Sequence, residues 1–311
     1  MPDDPRPGTR VFILNPTAGR HLYAEVQARI RSAPWKSDRD EIHLTERPGH
    51  ATDLARDAAQ RLGADALVFA CGGDGTVNEV VNGLVGTPAA LGVLPIGTGN
   101  DFVKSLYRER SAFAILDRLP EALFRRIDVG RMNGRCFVNV ASLGFDTEVG
   151  NYAKRMVARR PWLGGFSYLL AVFACLSGNR VFHMECELEG EDPDGRPVSF
   201  RGARDFTLAA VCNGGYYGGG FHPAPGASLE DGLLDVCLVD RKTVPQILGL
   251  VPKYRNGTHL DGRPGIHMVR TRSGVFRKRE LPLNLNCDGE SGEADEIVFE
   301  ILPGALTLAC Y

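Results

Sequence analysis

An open, mostly parallel α/β domain followed by a β-rich domain is the fold class this sequence predicts, on three observations. Strand-like and helix-like segments alternate through roughly the first 110 residues. Near Ile127 the rhythm changes to short strand-like runs separated by turn signals. The chain has 311 residues, which suits two domains better than one.

Taken in order, RVFILN (Arg10–Asn15) reads as a strand, and a polar, amphipathic stretch runs from about Leu22 to Ser32. EIHLT (Glu41–Thr45) is a second strand. Ala51, Leu54, Ala55, Ala58, Ala59 and Leu62 then recur at helical spacing, closed by Gly63. ALVFA (Ala66–Ala70) is a third strand, followed by a glycine turn and a helix to about Val85. AALGVLPIG (Ala89–Gly97) is a fourth strand, and TGNDFVKSLY hands it over to another helix. Sheets of this kind bind ligands outside the carboxyl ends of their strands. The glycine- or proline-marked loops after Asn15, Cys71 and Ile96 all lie at that edge.

The second part opens with two strands joined at Asn133-Gly134, a tight-turn pair. An apolar helix follows. Then come RVFHMECEL, PVSFR, DFTLAAVCN, LLDVCLVD, GIHMVRTR, LPLNLNCD, EIVFEIL and ALTLACY, interrupted by one helix around Val244 to Val251. This is a β-rich domain, sandwich or barrel. The boundary falls between about residues 125 and 130, with no repeat and no low-complexity linker.

A net charge of −2 leaves no electrostatic footprint for nucleic acid. The eight cysteines form no Cys-x-x-Cys pair, which speaks against zinc, and several sit in apolar runs as small hydrophobes. A reducing cytoplasm is the expected compartment. The opening MPDDPRPGTR is polar and proline-rich, with no apolar core for a signal peptide. No apolar run approaches the ~20 residues of a membrane span. The nearest is Gly164 to Gly178, read as a buried helix or as an interfacial one, because the basic run Lys154–Arg160 precedes it.

Gly72-Gly73-Asp74-Gly75-Thr76 places three glycines where a strand meets a helix. Glycine lets the backbone turn sharply and lets a ligand approach, and the N–H groups at the helix start favour an anion. Asp74 would repel a phosphate unless a metal ion or another cation intervenes. The plainer reading is a capped turn, with Asp74 or Thr76 as the N-cap. Two further loops, Asn15-Pro16-Thr17-Ala18-Gly19 and Gly97-Thr98-Gly99-Asn100-Asp101, strengthen the phosphate reading. No Walker-type loop is present. Asp288-Gly289-Glu290 puts two acids in a turn after a strand, which by itself is only a hairpin. Asn213 to Phe221 (NGGYYGGGF) reads as a flexible lip for a headgroup or as a simple loop.

Together, Asn15-Pro16-x-x-Gly19, Gly72-Gly73-Asp74-Gly75-Thr76-x-Asn78-Glu79 and Gly97-Thr98-Gly99-Asn100-Asp101 resemble the diacylglycerol kinase catalytic domain. That domain is shared by soluble bacterial lipid kinases and by sphingosine and ceramide kinases. His222 to Val236 and Cys-Asp-Gly-Glu at 287–290 match the second domain of the bacterial members, so the resemblance covers nearly the whole chain. Gly-Gly-Asp-Gly-Thr alone is shared with NAD kinases and, more distantly, phosphofructokinases. Ala18 stands where a serine is common.

The resemblance implies a nucleotide-binding domain over 1–127 and a sandwich-like lipid- and metal-binding domain over 128–311. ATP would lie between them. It would be bound by Asn15, Pro16, Thr17, Ala18, Gly19, Thr45, Gly72, Gly73, Asp74, Gly75, Thr76, Val77, Asn78 and Thr98. Asp74 would join a metal and water network with Asp128. A structural Mg2+ would be held by Asp231 and the carbonyls of Ser228 and Leu233. Glu290, with Asp288 beside it, would accept the proton of the lipid hydroxyl. The implied protein is a cytoplasmic ATP-dependent lipid kinase acting on a diacylglycerol-like acceptor, in peripheral contact with the membrane. Sphingoid bases, phosphatidylglycerol and NAD stay open as acceptors, as does a nucleotide-gated lipid-binding module without turnover. Oligomeric state is left open, with a homodimer among the options.

Overall fold

The computed structural model describes residues 7–19, 22–106, 111–159, 166–176, 181–280, 282–288 and 290–311. The MPDDPR start, Arg20, Arg160, Gly164, Gly165, Gly178 and Gly289 lie outside them, as do the side chains of Lys154, Arg159 and Glu290. The chain forms two compact units. Residues up to Val129 group with Gly304–Tyr311, and Gly130–Pro303 form the other.

The first unit is a parallel sheet. Strands β1 (Thr9–Leu14), β2 (Glu41–Leu44), β3 (Ala66–Gly72) and β4 (Ala90–Pro95) run in the order β2-β1-β3-β4. β3 and β4 are buried at every position, as strands covered on both faces must be. Helices α1 (Leu22–Ser32), α2 (His50–Leu62), α3 (Asp74–Leu84), α4 (Asp101–Leu106) and α5 (Ala112–Asp117) accompany the sheet. α2 buries Ala51, Ala55, Ala58 and Ala59, and Gly63 ends it in the left-handed region at φ 58°. Gly83 lets α3 approach α2 closely, since a Cβ there would meet Thr52 O at 2.6 Å.

The second unit begins within β5 (Leu123–Met132), whose hairpin with β6 (Arg135–Phe137) turns at Asn133 and Gly134, both at positive φ. After β7 (Val140–Gly144) come helices α6 (Phe145–Arg159) and α7 (Phe166–Cys175). The strands β8 (Phe182–Glu191), β9 (Pro197–Cys212) and β10 (Leu234–Asp240) follow, then α8 (Val244–Asn256). β11 (Ile266–Thr271), β12 (Ser273–Lys278), β13 (Leu283–Cys287), β14 (Glu290–Ala294) and β15 (Glu296–Cys310) complete the chain. The strand path is β14-β13-β7-β9-β10-β11-β8-β12-β15. β9 pairs with β8 along its first half and with β7 and β10 along its second, so the sheet turns on itself. The enclosed core holds Phe137, Met184, Phe206, Val236, Leu238, Phe276 and Phe299. The alternate residues Cys237 and Val239 of β10 belong to a second apolar layer with residues of α6, α7 and α8.

Three departures from the sequence reading have physical causes. PVSFR and DFTLAAVCN are one strand, because Gly202 carries β9 through at φ 98° while pairing with β8 continues. EIVFEIL and ALTLACY are likewise one strand, with Gly304 at φ 54° between them. The end of that strand pairs in parallel with β4, Thr307 opposite Ala90. Gly304–Tyr311 therefore return to the first unit, whereas the sequence reading places all of 128–311 in the second domain.

Candidate functional site

The edge of the first sheet brings its three glycine loops together through four contacts. Asn15, just past β1, donates from Nδ2 to Thr76 Oγ1 at 3.0 Å. Its Oδ1 accepts from the N–H and hydroxyl of Thr17, at 2.9 and 2.7 Å, which folds Asn15–Gly19 into a turn. Gly19, at φ 60°, presses that turn on the end of β4, where a Cβ would lie 1.9 Å from Ile96 O. Gly73 and Gly97 meet backbone to backbone, since a Cβ on Gly97 would lie 2.4 Å from Gly73 Cα. Finally, Asp74 Oδ1 accepts the Phe102 N–H at 3.1 Å, tying the second loop to the start of α4.

This settles the capped-turn alternative. The N-cap of α3 is Gly73, with no side-chain cap hydrogen bond. Thr76 and Asn78 are buried within α3, and Thr76 turns its hydroxyl to Asn15. Asp74 reaches the first turn of the next helix through its Oδ1. The cap position of α3 thus carries no side-chain oxygen of its own, and Gly75 is exposed beside it. Backbone N–H groups so placed attract an anion. Val77 packs inward, Thr98 is exposed, and Thr45 donates its N–H to Leu14 O at 2.9 Å, beside the end of β1. Asp128 is buried and accepts the Gly304 N–H at 2.7 Å. Among the described residues, no group of three or more His, Cys, Asp or Glu side chains is arranged to hold a metal.

Sequence reasoning passed over Glu79, which belongs to the same motif. Its carboxylate accepts the N–H groups of Gly49 and Ala51, at 2.9 and 3.1 Å, and so caps α2. The signal was there: Gly49 precedes α2 and supplies no cap of its own.

In the second unit, Asp288 ends β13 in the left-handed region at φ 45°. Its buried carboxylate accepts three backbone N–H groups, from Val138 at 2.8 Å, Val140 at 3.0 Å and Asn139 at 3.2 Å. Asp288 is therefore a clamp on the bend between β6 and β7, with its lone pairs committed. Asn139 and Asn213 complete that bend; the sequence reading names Asn213 only as the start of the glycine-rich stretch, and Asn139 not at all. Asn139 O accepts from the Asn213 and Gly214 N–H groups at 2.9 Å each, and Asn213 Nδ2 donates to Val138 O at 2.9 Å. Glu290 opens β14 opposite Cys287, so the acidic turn is indeed a hairpin. Beside the glycine-rich loop, His222 stacks on Tyr216 at 4.1 Å, and burial holds its imidazole below the ordinary histidine range.

The turn Ser228–Leu233 is shaped by Gly232 at φ 71°, by Glu230 N–H to Ser228 Oγ at 3.2 Å, and by Leu233 N–H to Asp231 Oδ1 at 3.1 Å. One carboxylate with backbone carbonyls is an all-oxygen donor set, which fits a hard divalent cation. Asp231 Oδ2 also pairs with Arg270 Nη2 at 2.6 Å, and the same guanidinium reaches Glu191 at 3.0 Å. Arg270 offsets the carboxylate's charge and so weakens such a site without filling it. Asp235, next along the chain, is pushed up to about 6 by burial.

The chain was compared with known proteins. Residues 9–132 match the diacylglycerol kinase catalytic domain, and residues 139–310 match the YegS C-terminal NAD kinase beta sandwich-like domain. A diacylglycerol kinase of Bacillus subtilis is 32% identical over 90% of this chain and 89% of its own. One of Staphylococcus saprophyticus is 28% identical over 90% and 88%. A crystal structure of a Bacillus anthracis protein superposes with a TM-score of 0.73 at 24% identity, covering 97% of this chain and 96% of that one. It shares the fold.

Proposed function

Because the chain belongs to the diacylglycerol kinase catalytic family, and is a kinase, we propose that it transfers the γ-phosphate of ATP to the hydroxyl of a diacylglycerol-like lipid. The observation that carries this is the glycine edge of the first unit. Three loops meet there through backbone at Gly19, Gly73 and Gly97, in front of a helix whose cap residue is itself a glycine. Phosphoryl transfer needs mainly positioning and charge neutralisation, and N–H donors at a helix start supply both for a triphosphate. Asn15, Thr17 and Thr76 hold the first two loops in register, and Asp74 holds the third.

The acceptor hydroxyl must lose its proton as the new O–P bond forms and the γ-phosphorus parts from ADP. Glu290 takes that proton in this reading. Asp288 is its positioning residue, which agrees with a carboxylate already engaged by three N–H groups. Mg2+, when bound, neutralises phosphate charge and, at Asp231 with the carbonyls of Ser228 and Leu233, stiffens that turn. A lipid acceptor brings the enzyme to a membrane surface, and no helix among the described residues is long and apolar enough to cross one. We assign it to the cytoplasmic face of that membrane.

The test is transfer of labelled γ-phosphate to a total lipid extract, with the product identified. Phosphatidic acid is the expected product. Label in a sphingoid phosphate, in a phosphatidylglycerol derivative or only in NADP would replace the acceptor. No transfer to anything in the presence of magnesium would leave a lipid-binding module without turnover.

A further inference from the structure

The glycine-rich loop Asn213–Phe221 is held at its base and bare at its tip. At the tip, Gly218, Gly219 and Gly220 stand at φ 60°, 81° and 115°, a run that only glycine adopts without strain. Tyr217 and Phe221 close it, with the Tyr217 N–H on Phe221 O at 3.0 Å and the Phe221 N–H on Tyr217 O at 2.8 Å. At the base, the Tyr216 ring stacks on His222 with centroids 4.1 Å apart, and the Tyr216 carbonyl accepts from the side-chain amide of Asn139.

Asn139 engages the acidic turn and this loop together. Its backbone N–H lies on the Asp288 carboxylate at 3.2 Å. Its backbone oxygen takes the Asn213 and Gly214 N–H groups, and its Nδ2 takes Tyr216 O. One residue, 4% exposed, therefore ties the end of β13 to the start of the loop.

The Asn139 Oδ1 shows which of these bonds the side chain serves. It is buried, and among the described residues no donor reaches it. It fills instead the place of the missing Gly214 side chain, 2.3 Å from where a Cβ would stand. Burying a carbonyl oxygen without a donor opposes folding. The bend itself uses only the backbone of Asn139, so a small apolar residue would serve it better. What such a residue lacks is the Nδ2 donor on Tyr216. The return on the buried amide lies at the loop.

We propose that Asn139 is a positioning residue for phosphoryl transfer, which through Nδ2 holds the glycine-rich loop in register with the acidic turn so that the polar head of the acceptor meets both. This rests on the reading of the chain as a lipid kinase and deepens it. Asn139 moves no proton and touches no reacting atom. It fixes the distance between the two elements that receive the acceptor, and a displacement of about 1 Å there can cost up to about 10²-fold in rate.

The experiment is steady-state kinetics of the full chain on diacylglycerol in mixed micelles, with three variants and a control. Asn139→Ala removes the amide. Asn139→Asp keeps its shape but loses the donor while ionised, and its protonated carboxyl can donate to Tyr216 O again. Gly214→Ala pushes the amide aside, since the atoms nearest its Cβ all belong to Asn139. Val236→Ala, in the enclosed core, is the control for lost stability alone. In the three variants kcat/KM for the acceptor should fall about tenfold or more, with KM for ATP within about twofold of wild type. Relative to wild type, Asn139→Asp should recover as the pH falls from about 8 to about 5.5, and Asn139→Ala should not. Val236→Ala should keep the wild-type KM for the acceptor. The proposal is overturned if Asn139→Asp matches wild type at about pH 8, since shape then suffices. It is equally overturned if Val236→Ala loses acceptor kcat/KM as the Asn139 variants do. Amide hydrogen exchange over residues 213–221 reads the link without turnover: faster exchange in Asn139→Ala supports it, and wild-type exchange overturns it. Absence of any lipid phosphorylation by wild type would refute the kinase reading and leave the exchange measurement to judge the link by itself.

Discussion

Gly97→Ala probes the meeting of the two glycine loops most directly. Its Cβ would lie 2.4 Å from Gly73 Cα, 2.9 Å from Gly73 N and 2.9 Å from Asn100 Oδ1. Carbon atoms pack at about 3.5 Å or more, so the loops must part by about 1 Å. Forced overpacking of this kind costs about 1–3 kcal/mol. At about 1.5 °C per kcal/mol for a chain of 311 residues, the melting temperature should drop by roughly 1.5–4.5 °C. A displacement of about 1 Å at a positioning loop can also cost up to about 10²-fold in rate. Gly75→Ala is the matched control, because its Cβ meets nothing within 4 Å and the residue lies in α3. Helix propensity should leave it as stable as wild type or up to about 1 kcal/mol more so. Differential scanning fluorimetry and labelled-phosphate transfer read both effects. Wild-type stability and turnover in Gly97→Ala would refute the contact between the loops, and equal destabilisation by Gly75→Ala would refute its assignment to that contact.

Two other perturbations follow from the second unit. Asp231→Ala removes the partner of Arg270 and the one carboxylate of the proposed cation site, and both side chains are about one-quarter exposed. The loss should be about 1 kcal/mol, with the magnesium-dependent rise in melting temperature of wild type largely abolished and partly restored by excess magnesium. A wild-type melting temperature that ignores magnesium would exclude the site. His259 is fully buried, and desolvation drives its pKa from 6.5 down to about 4. The unfolded chain then binds the extra proton between those values, so stability is complete above pH 6.5 and declines as pH falls toward 4, by about 3 kcal/mol in all. Asp235, raised to about 6, has the opposite slope, so the measurement is the difference between wild type and His259→Gln across pH 4–7. That difference should shift in the variant's favour as the solution becomes more acid, and a constant difference would show that His259 does not titrate as a buried base.

The parallel sheet was legible because its central strands β3 and β4 are apolar throughout and α2 carries a 3.6-residue period closed by Gly63. The glycine loops were legible as a set, since all three follow strands. Their mutual contact was not, because a sequence does not show that Gly73 and Gly97 touch. β14 escaped notice because Glu290–Ala294 reads ESGEA, with one apolar residue and no alternation. The two long strands read as four because Gly202 and Gly304 look like turns in a sequence, yet only bend a strand in the structure. In the acidic turn, Asp288 and Glu290 look equivalent on paper. Tertiary contacts separate them, since the three N–H groups that clamp Asp288 come from residues about 150 positions away.

Glu290→Gln and Asp288→Asn, assayed side by side for γ-phosphate transfer to diacylglycerol, test the proposed chemistry at its centre. Both substitutions keep size, and each removes a carboxylate charge. A positioned base contributes about 10² to 10⁴ in rate, so Glu290→Gln should lower kcat by about 10² or more with ATP affinity little changed. Asp288→Asn keeps one acceptor oxygen for three N–H donors, so it should lower the melting temperature as well as kcat. Wild-type turnover in both variants, on an acceptor that the unmodified enzyme phosphorylates, would show that the turn is only a hairpin and that the proton leaves by another group.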